Sequence, residues 1–172
     1  MDDAERVGVL VSNVGQARQE QPLKRILGWD DITREVDTLI RELRDDYDVM
    51  LVITRGGMIP ACIISEKLDI RNILVAAVQL YTGIGTTLDD PNFLQFPHDT
   101  LLAGKSVLIV DDVWDSGRTA VAVRERVRIA GGNPVLAVLH YKPRASRFPD
   151  DRPDHYAEVT EDWLVYPWDE ER

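Results

Sequence analysis

Apolar residues recur along the chain in two periods that predict alternating strands and helices. Short continuous apolar runs rich in β-branched residues predict buried strands at 49–53, 73–80, 107–110, 135–139 and 163–166. Apolar residues at 3.6-residue spacing predict helices at 30–45, 59–68 and 119–130. Because strands that alternate with helices pair in parallel, the pattern predicts an α/β fold with helices on both faces of the sheet.

Local signals refine the ends of these elements. Asp30 or Asp31 is expected to cap the first helix, and Gly131 with Gly132 is expected to close the last one. The segment 82–100 has little periodicity, and a loop of that length inside a compact domain is usually a lid or a binding loop. We therefore expect a lid at 81–100.

Length and composition favour one globular domain. The chain has 172 residues, of which 44% are hydrophobic and 29% charged. We divide it into an N-terminal arm of uncertain structure, 1–28, and a single domain, 29–172. The net charge of -10 argues against nucleic-acid binding, which normally needs a basic surface.

Cysteine usage and hydropathy favour a cytoplasmic location. Cys62 is the single cysteine, so no internal disulfide forms. The acidic start is unlike a secretory signal, and no apolar run approaches the roughly 20 residues that span a membrane. We expect no membrane partner. The histidines lack zinc-site spacing, and no dinucleotide or P-loop motif is present.

The segment 107–119 combines acidic side chains with a small-residue turn at a predicted strand end. Four apolar residues lead into Asp111 and Asp112, then Asp115, then the turn 116–119 that opens a helix. Ligands of α/β sheets bind beyond the carboxyl ends of the strands. The amides of such a turn can bind a phosphate, whereas adjacent carboxylates suit vicinal hydroxyls or a divalent cation. Taken alone, an Asp-Asp pair is more often a helix cap or a solvated turn.

The whole string 107–119 resembles the phosphoribosyl pyrophosphate (PRPP) signature of type I phosphoribosyltransferases. The resemblance implies that Asp111 and Asp112 hold the ribose hydroxyls. It also implies that Asp115 lies near the base and can transfer the proton of the base. Trp114 occupies a variable position and is interpreted as a packing residue. The implied site of the 5′-phosphate consists of Ser116, Gly117, Arg118 and Thr119. The implied fold is a mostly parallel sheet flanked by helices, with a small hood near the C-terminus.

A second match follows the first predicted strand. The run 54–57, which contains Arg55 and Gly56, resembles the pyrophosphate loop of the family, and 53–68 is similar to bacterial xanthine-guanine phosphoribosyltransferases. Two glycines let the backbone approach an anion, and Arg55 can contact that anion or a neighbouring subunit. The resemblance also implies a cis peptide bond before Arg55. On its own, Arg-Gly-Gly indicates only a turn.

A third match concerns the base. Lys142, Trp163 and Leu164 occupy spacings similar to those of purine-specific members. There the lysine donates to the purine 6-oxygen, the aromatic ring stacks on the base and a main-chain carbonyl accepts from the exocyclic amine. The residues alone leave open a core role for Trp163 or Trp168 and a surface role for Lys142. The segment 143–160 has no clear counterpart.

Together these matches imply a purine phosphoribosyltransferase that uses PRPP and Mg²⁺ and accepts hypoxanthine, guanine or xanthine. The metal would lie on the pyrophosphate, with Asp112 as its protein ligand, and the assembly would be a homodimer or homotetramer. Three alternatives stay open: a phosphoribosyltransferase for another base, a catalytically silent PRPP-sensing regulator, and an interaction protein whose acidic pair is structural.

Overall fold

The computed structural model describes residues 23–80 and 91–169. This part of the chain contains eight strands: β1 Lys24–Ile26, β2 Val49–Thr54, β3 Ile73–Gln79, β4 Asn92–Gln95, β5 Ser106–Trp114, β6 Asn133–Tyr141, β7 His155–Val159 and β8 Trp163–Val165. It also contains three α-helices: α1 Trp29–Ile40, α2 Met58–Leu68 and α3 Arg118–Ile129.

Six of the strands form one sheet in the order β4-β3-β2-β5-β6-β7. All neighbours pair in parallel except β4, which runs antiparallel to β3 at one edge. Helices α1 and α2 pack on one face and α3 packs on the other. This confirms the predicted α/β fold, and it puts the carboxyl ends of β2, β5 and β6 side by side near the middle of one sheet edge.

Strands β1 and β8 form a separate two-stranded parallel sheet, which we call the hood. Lys24 is paired in register with Trp163, and the Leu27 amide donates to the Val165 carbonyl at 2.9 Å. The predicted hood near the C-terminus is therefore present. Its second strand comes from the region 1–28 that the sequence left as an arm of uncertain structure; residues 1–22 of that region lie outside the described residues.

The ends of α1 differ from the prediction. Gly28, not Asp30 or Asp31, is the N-cap, and Asp31 contributes from the first turn by accepting the Gly28 amide at 2.8 Å. The helix ends at Ile40, five residues before Asp45, because the Leu43 amide bonds the carbonyl of Ile40, three residues back, instead of continuing the helical pattern. The predicted closure of α3 is correct, since Gly131 adopts a φ of 80°.

Two edge strands were missed, and β5 and β6 are longer than predicted. β4 lies inside the predicted loop, and β7 lies in the segment without a family counterpart; both are only partly buried, so their apolar pattern is weak. β5 continues through Trp114, so the acidic pair lies within the strand.

The part of the predicted lid at 81–90 lies outside the described residues. Across the described ranges, none of the helices combines the length and apolar character needed to cross a bilayer.

Candidate functional site

Asp111 and Asp112, here called the acidic pair, lie near the carboxyl end of the central strand β5. Asp111 is 8% exposed and Asp112 is half-buried, and the Asp112 amide donates to Asp111 Oδ1 at 3.0 Å. Burial raises the pKa of Asp111 well above its ordinary value, and the neighbouring charge of Asp112 raises it further. Burial also raises the pKa of Asp112. Both shifts mean that the ionised pair is short of positive charge or hydrogen-bond donors, which a ligand can supply.

The loop after β2 packs directly against the acidic pair. Its first peptide bond, Thr54–Arg55, is cis, which confirms that expectation from the family resemblance. A β-carbon at Gly56 would lie 2.3 Å from Asp112 Oδ2, and one at Gly57 would lie 2.4 Å from the Val110 carbonyl oxygen. Only glycine fits at position 57, where the neighbours are backbone atoms, whereas a side chain at position 56 would displace the Asp112 carboxylate. The bare backbone of this loop therefore runs beside a carboxylate, at the entrance of α2.

The turn 116–119 joins β5 to α3. Gly117 is the N-cap residue with a φ of 78°, and a β-carbon there would lie 2.5 Å from the Trp114 ring. No side chain caps α3, and its first turn contains no acidic residue. The amides of a helix start, together with the helix dipole, favour an anion at this point. Asp115 is exposed just before the turn, and Thr119 is half-buried in its first helical residues.

Trp114 supports this turn from inside the protein, which confirms its interpretation as a packing residue. Its ring is fully buried, and Nε1 donates to Ser146 Oγ at 3.0 Å. Tyr141 and Phe148 pack edge-on against it at 6.2 and 6.5 Å. The Arg147 amide donates to the Ser116 carbonyl at 3.0 Å. The segment 143–160, which has no clear family counterpart, therefore stabilises the turn through these contacts.

A pocket of about 1130 Å³, the hood pocket, lies between the hood and the sheet edge. Five predicted site residues line it: Arg55, Gly56, Asp112, Trp163 and Leu164. Six further lining residues were not predicted: Lys24, Met58, Ile59, Val165, Trp168 and Asp169. Most of these six belong to or follow the hood strands, whose pairing joins distant segments and leaves no local signal in the sequence.

The other predicted residues lie outside the lining of this pocket. Asp111 is buried beneath it, and Asp115 with the turn 116–119 lies at the end of the same strand. Lys142 follows β6, and its amide donates to the Trp114 carbonyl at 2.9 Å, which places its backbone beside Asp115. The predicted residues thus gather at one sheet edge, in two neighbouring groups.

The aromatic residues of the hood have different environments. Trp163 is 67% exposed, so the alternative that it is a core residue is wrong. Trp168 is half-buried, stacks on Tyr166 with 4.7 Å between ring centroids, and contacts Trp29 at 6.1 Å. Trp163 is therefore an exposed ring in the lining of the pocket, and Trp168 forms part of the packed wall.

Comparison with known proteins agrees with this arrangement. Residues 23–172 match the family described as "Phosphoribosyl transferase domain". A xanthine-guanine phosphoribosyltransferase from Gluconobacter oxydans is 36% identical over 146 residues, which cover 82% of each chain. The structure of a purine phosphoribosyltransferase from Pyrococcus horikoshii is similar with a TM-score of 0.75 and 37% identity, over 87% of this chain and 96% of that one.

A further similar structure is that of a hypothetical protein from Neisseria gonorrhoeae with bound ppGpp. It has a TM-score of 0.74 and 29% identity and covers 87% of this chain and 91% of its own.

Proposed function

The chain belongs to the phosphoribosyltransferase family, whose members are pentosyltransferases, and we propose that it transfers the phosphoribosyl group of PRPP to guanine, xanthine or hypoxanthine. The products would be pyrophosphate and a nucleoside monophosphate. The observation that carries the proposal is the hood pocket, where a glycine loop, one carboxylate of the acidic pair and an exposed tryptophan line the same space. The names of the relatives, and the guanine base of the ppGpp bound to one neighbour, support an oxo-purine.

The acidic pair and the turn 116–119 would hold the ribose 5-phosphate part of PRPP. Ionised carboxylates only accept hydrogen bonds, so Asp111 and Asp112 suit the two ribose hydroxyls, which donate them. The uncapped start of α3 suits the 5′-phosphate, with Ser116, Gly117, Arg118 and Thr119 around it. The carboxylates and the phosphate would then occupy opposite sides of the pentose, which keeps like charges apart.

Arg55 and Gly56 would hold the pyrophosphate. The side chain of Arg55 is exposed, and both Arg55 and the half-buried Gly56 line the pocket, where they could contact an anion. Asp112 is the protein group that fits Mg²⁺, because its carboxylate offers the hard oxygen atoms that this ion prefers. Burial raises the pKa of Asp112, so a cation beside it would stabilise the ionised carboxylate. When bound, Mg²⁺ would neutralise the charge that develops on the leaving pyrophosphate.

The base would lie under the hood. The exposed ring of Trp163 is available for stacking, and Leu164 also lines the pocket. Lys142, which follows β6 next to Asp115, would donate to the 6-oxygen. A charged donor at that oxygen favours oxo-purines over adenine, whose 6-amino group is itself a donor.

Asp115 would act as the catalytic base. In the reaction a purine ring nitrogen bonds to the anomeric carbon while the bond from that carbon to the pyrophosphate oxygen breaks. The same ring nitrogen must lose its proton, and a carboxylate near it can accept it. Asp115 lies three residues after Asp112 and beside Lys142, so it would reach the base when the pentose rests on the acidic pair.

The acidic surface does not prevent binding of the highly charged PRPP. Charges separated by more than ~8 Å are largely screened at physiological salt, whereas a pair at 4 Å in a partly shielded site is worth ~4 kcal/mol. Arg55, Arg118 and Lys142 at the site therefore outweigh the net charge of -10.

We further propose that the enzyme is cytoplasmic and assembles as a homodimer or homotetramer. Light scattering on the purified protein would test the assembly.

The proposal is tested by incubating the protein with PRPP, MgCl₂ and one base at a time and measuring pyrophosphate release. Release with guanine, xanthine or hypoxanthine, and its loss with EDTA, is the expected result. Release with another base alone would identify a different acceptor. PRPP binding in calorimetry without turnover on any base would identify a regulator, and absence of both binding and turnover would reject the proposal.

A further inference from the structure

Tyr166 connects the hood to the acidic pair. It directly follows β8 and is 6% exposed. Its hydroxyl lies 3.3 Å from the Asp112 carbonyl oxygen and 3.0 Å from His140 Nδ1. Its ring stacks on Trp168 with an angle of 11° between the planes, and Trp168 lines the hood pocket. One buried side chain therefore touches both the backbone of the acidic pair and the wall of the pocket.

The hydrogen bonds of Tyr166 determine where the protons lie. A hydroxyl has one hydrogen, and the Asp112 carbonyl can only accept, so Tyr166 donates to Asp112 and accepts from His140 Nδ1–H. His140 Nε2 lies 3.4 Å from Glu35 Oε1, a polar contact that is longer than a hydrogen bond, since neither atom has a hydrogen-bond partner.

His140 lies among charged side chains from three other elements. His140 is fully buried on β6 and Glu35 is 6% exposed on α1. Arg25 of β1 pairs with both carboxylate oxygens of Glu158 on β7 and lies 3.8 Å from Glu35. Two carboxylates thus face one guanidinium, with the His140 ring beside them. Polar contacts link Glu35, His140, Tyr166 and the main-chain carbonyl of Asp112 in that order, from α1 to β5.

Glu35, His140 and Glu158 carry the kinds of side-chain atoms that bind metal ions. Oxygen and nitrogen atoms of Glu35, His140 and Glu158 lie within 4.8 Å of one another, and neither oxygen of Glu35 has a hydrogen-bond partner. Arg25 argues against a metal, because its guanidinium already occupies Glu158 and would lie beside the ion.

We propose that Tyr166 is a positioning residue, which Glu35 and His140 hold in place so that its hydroxyl fixes the backbone at Asp112. The inference rests on the proposed function, because it assigns Asp112 to the ribose. Fixing the main chain at Asp112 fixes the direction in which its carboxylate leaves the strand. Without the hydroxyl, the carboxylate would have to be ordered when PRPP binds, which weakens binding.

The test is PRPP affinity of Tyr166→Phe, measured by calorimetry with MgCl₂ alongside kinetics with the accepted base. The variant keeps the stack on Trp168, so KM for the base should stay within about twofold, while Kd for PRPP should rise about fivefold to tenfold, the effect of one buried hydrogen bond. Tyr47→Phe is the matched control, since the Tyr47 hydroxyl is equally buried in the same core cluster but has no hydrogen-bond partner.

Two variants of Glu35 test the chain behind the tyrosine. Glu35→Gln keeps a polar partner for His140 Nε2, so PRPP affinity should stay within about twofold, whereas Glu35→Leu should lose affinity as Tyr166→Phe does. These variants also decide the matter if Tyr166→Phe fails to fold.

The outcomes separate the two claims. If wild type binds PRPP and both Tyr166→Phe and Glu35→Leu bind it equally well, the positioning role is overturned and the proposed function stands. If wild type neither binds PRPP nor releases pyrophosphate, both fall. A rise in the melting temperature of wild type with Zn²⁺ that Glu35→Gln abolishes would place a metal at Glu35 and His140 and overturn the inference.

Discussion

Gly56 lies directly against the carboxylate of Asp112, so that a β-carbon at position 56 would fall 2.3 Å from Asp112 Oδ2. The two residues come from the ends of neighbouring parallel strands and are far apart in sequence. Their contact joins the predicted pyrophosphate loop to the predicted ribose site. A side chain at position 56 would therefore change the shape of both.

Gly56→Ala should therefore weaken PRPP binding. The added methyl must displace the Asp112 carboxylate or the loop, and such overpacking costs about 1 to 3 kcal/mol, or roughly tenfold or more in Kd. Calorimetric titration with PRPP measures the loss. Gly28→Ala is the control, because a β-carbon there meets nothing nearer than 3.6 Å. Equal affinities for the two variants would show that the loop tolerates the methyl and that the contact is unimportant.

Asp111→Asn should stabilise the unliganded protein and weaken PRPP binding. Because burial raises the pKa of Asp111, ionisation opposes folding, and wild-type stability falls as the pH rises from the ordinary carboxyl range toward the raised value. Removing the charge at pH 7 should add about 1 kcal/mol, or roughly 2 to 4 °C in Tm, by thermal unfolding.

The stabilisation should shrink at acidic pH, where wild-type Asp111 is also protonated. Asp45→Asn, in an exposed turn, should change neither Tm nor PRPP affinity. A lower Tm for Asp111→Asn at pH 7 would mean that the carboxylate is stabilised in the fold, contrary to its burial.

Asp115→Asn should reduce turnover far more than PRPP affinity. Loss of a positioned proton acceptor lowers kcat by about 10² to 10⁴. The side chain is exposed, so the fold should not depend on it. Steady-state kinetics and PRPP calorimetry on the same preparation give both quantities. Equal losses in kcat and in affinity would assign Asp115 to substrate binding instead of proton transfer.

Trp163→Ala should weaken binding of the base without loss of stability. Its ring is 67% exposed, so little packing is removed, whereas a stacked base loses about 1 to 3 kcal/mol. KM for the base should rise roughly fivefold or more while Tm and PRPP affinity stay constant. Ile129→Ala, an equally exposed apolar residue at the end of α3, is the control. An unchanged KM would place the base elsewhere.

Glu158→Gln should lower stability at neutral pH and have no effect in acid. The Arg25 guanidinium holds the pKa of Glu158 below its ordinary value of 4.5, so the contribution of the pair is present above that value and is lost as the pH falls through the lowered pKa. Both side chains are partly exposed, so the loss should be at most about 1 kcal/mol by urea unfolding at pH 7. In an Arg25→Gln background the substitution should have little effect; an undiminished loss would show that the pair is not coupled.

The local apolar pattern of the sequence was sufficient to predict the central sheet and the meeting of its loops at one edge. A buried strand is recognisable from its own apolar run, and parallel strands direct their carboxyl ends to one edge, so Arg55 and Asp112 had to lie near each other once β2 and β5 were adjacent. The edge strands β4 and β7 escaped prediction because solvent on one side removes the apolar run that marks a central strand.

Only the tertiary structure brought Lys24, Trp168 and Asp169 to the site and Tyr166 to Asp112. These contacts depend on β1 pairing with β8 across most of the chain, and a pairing of that range is decided by how the finished surfaces pack. It was likewise the fold that buried Asp111 and made its charge costly. A sequence shows which side chains are present, whereas burial, and with it the strength of every charge and hydrogen bond, exists only after distant segments have met.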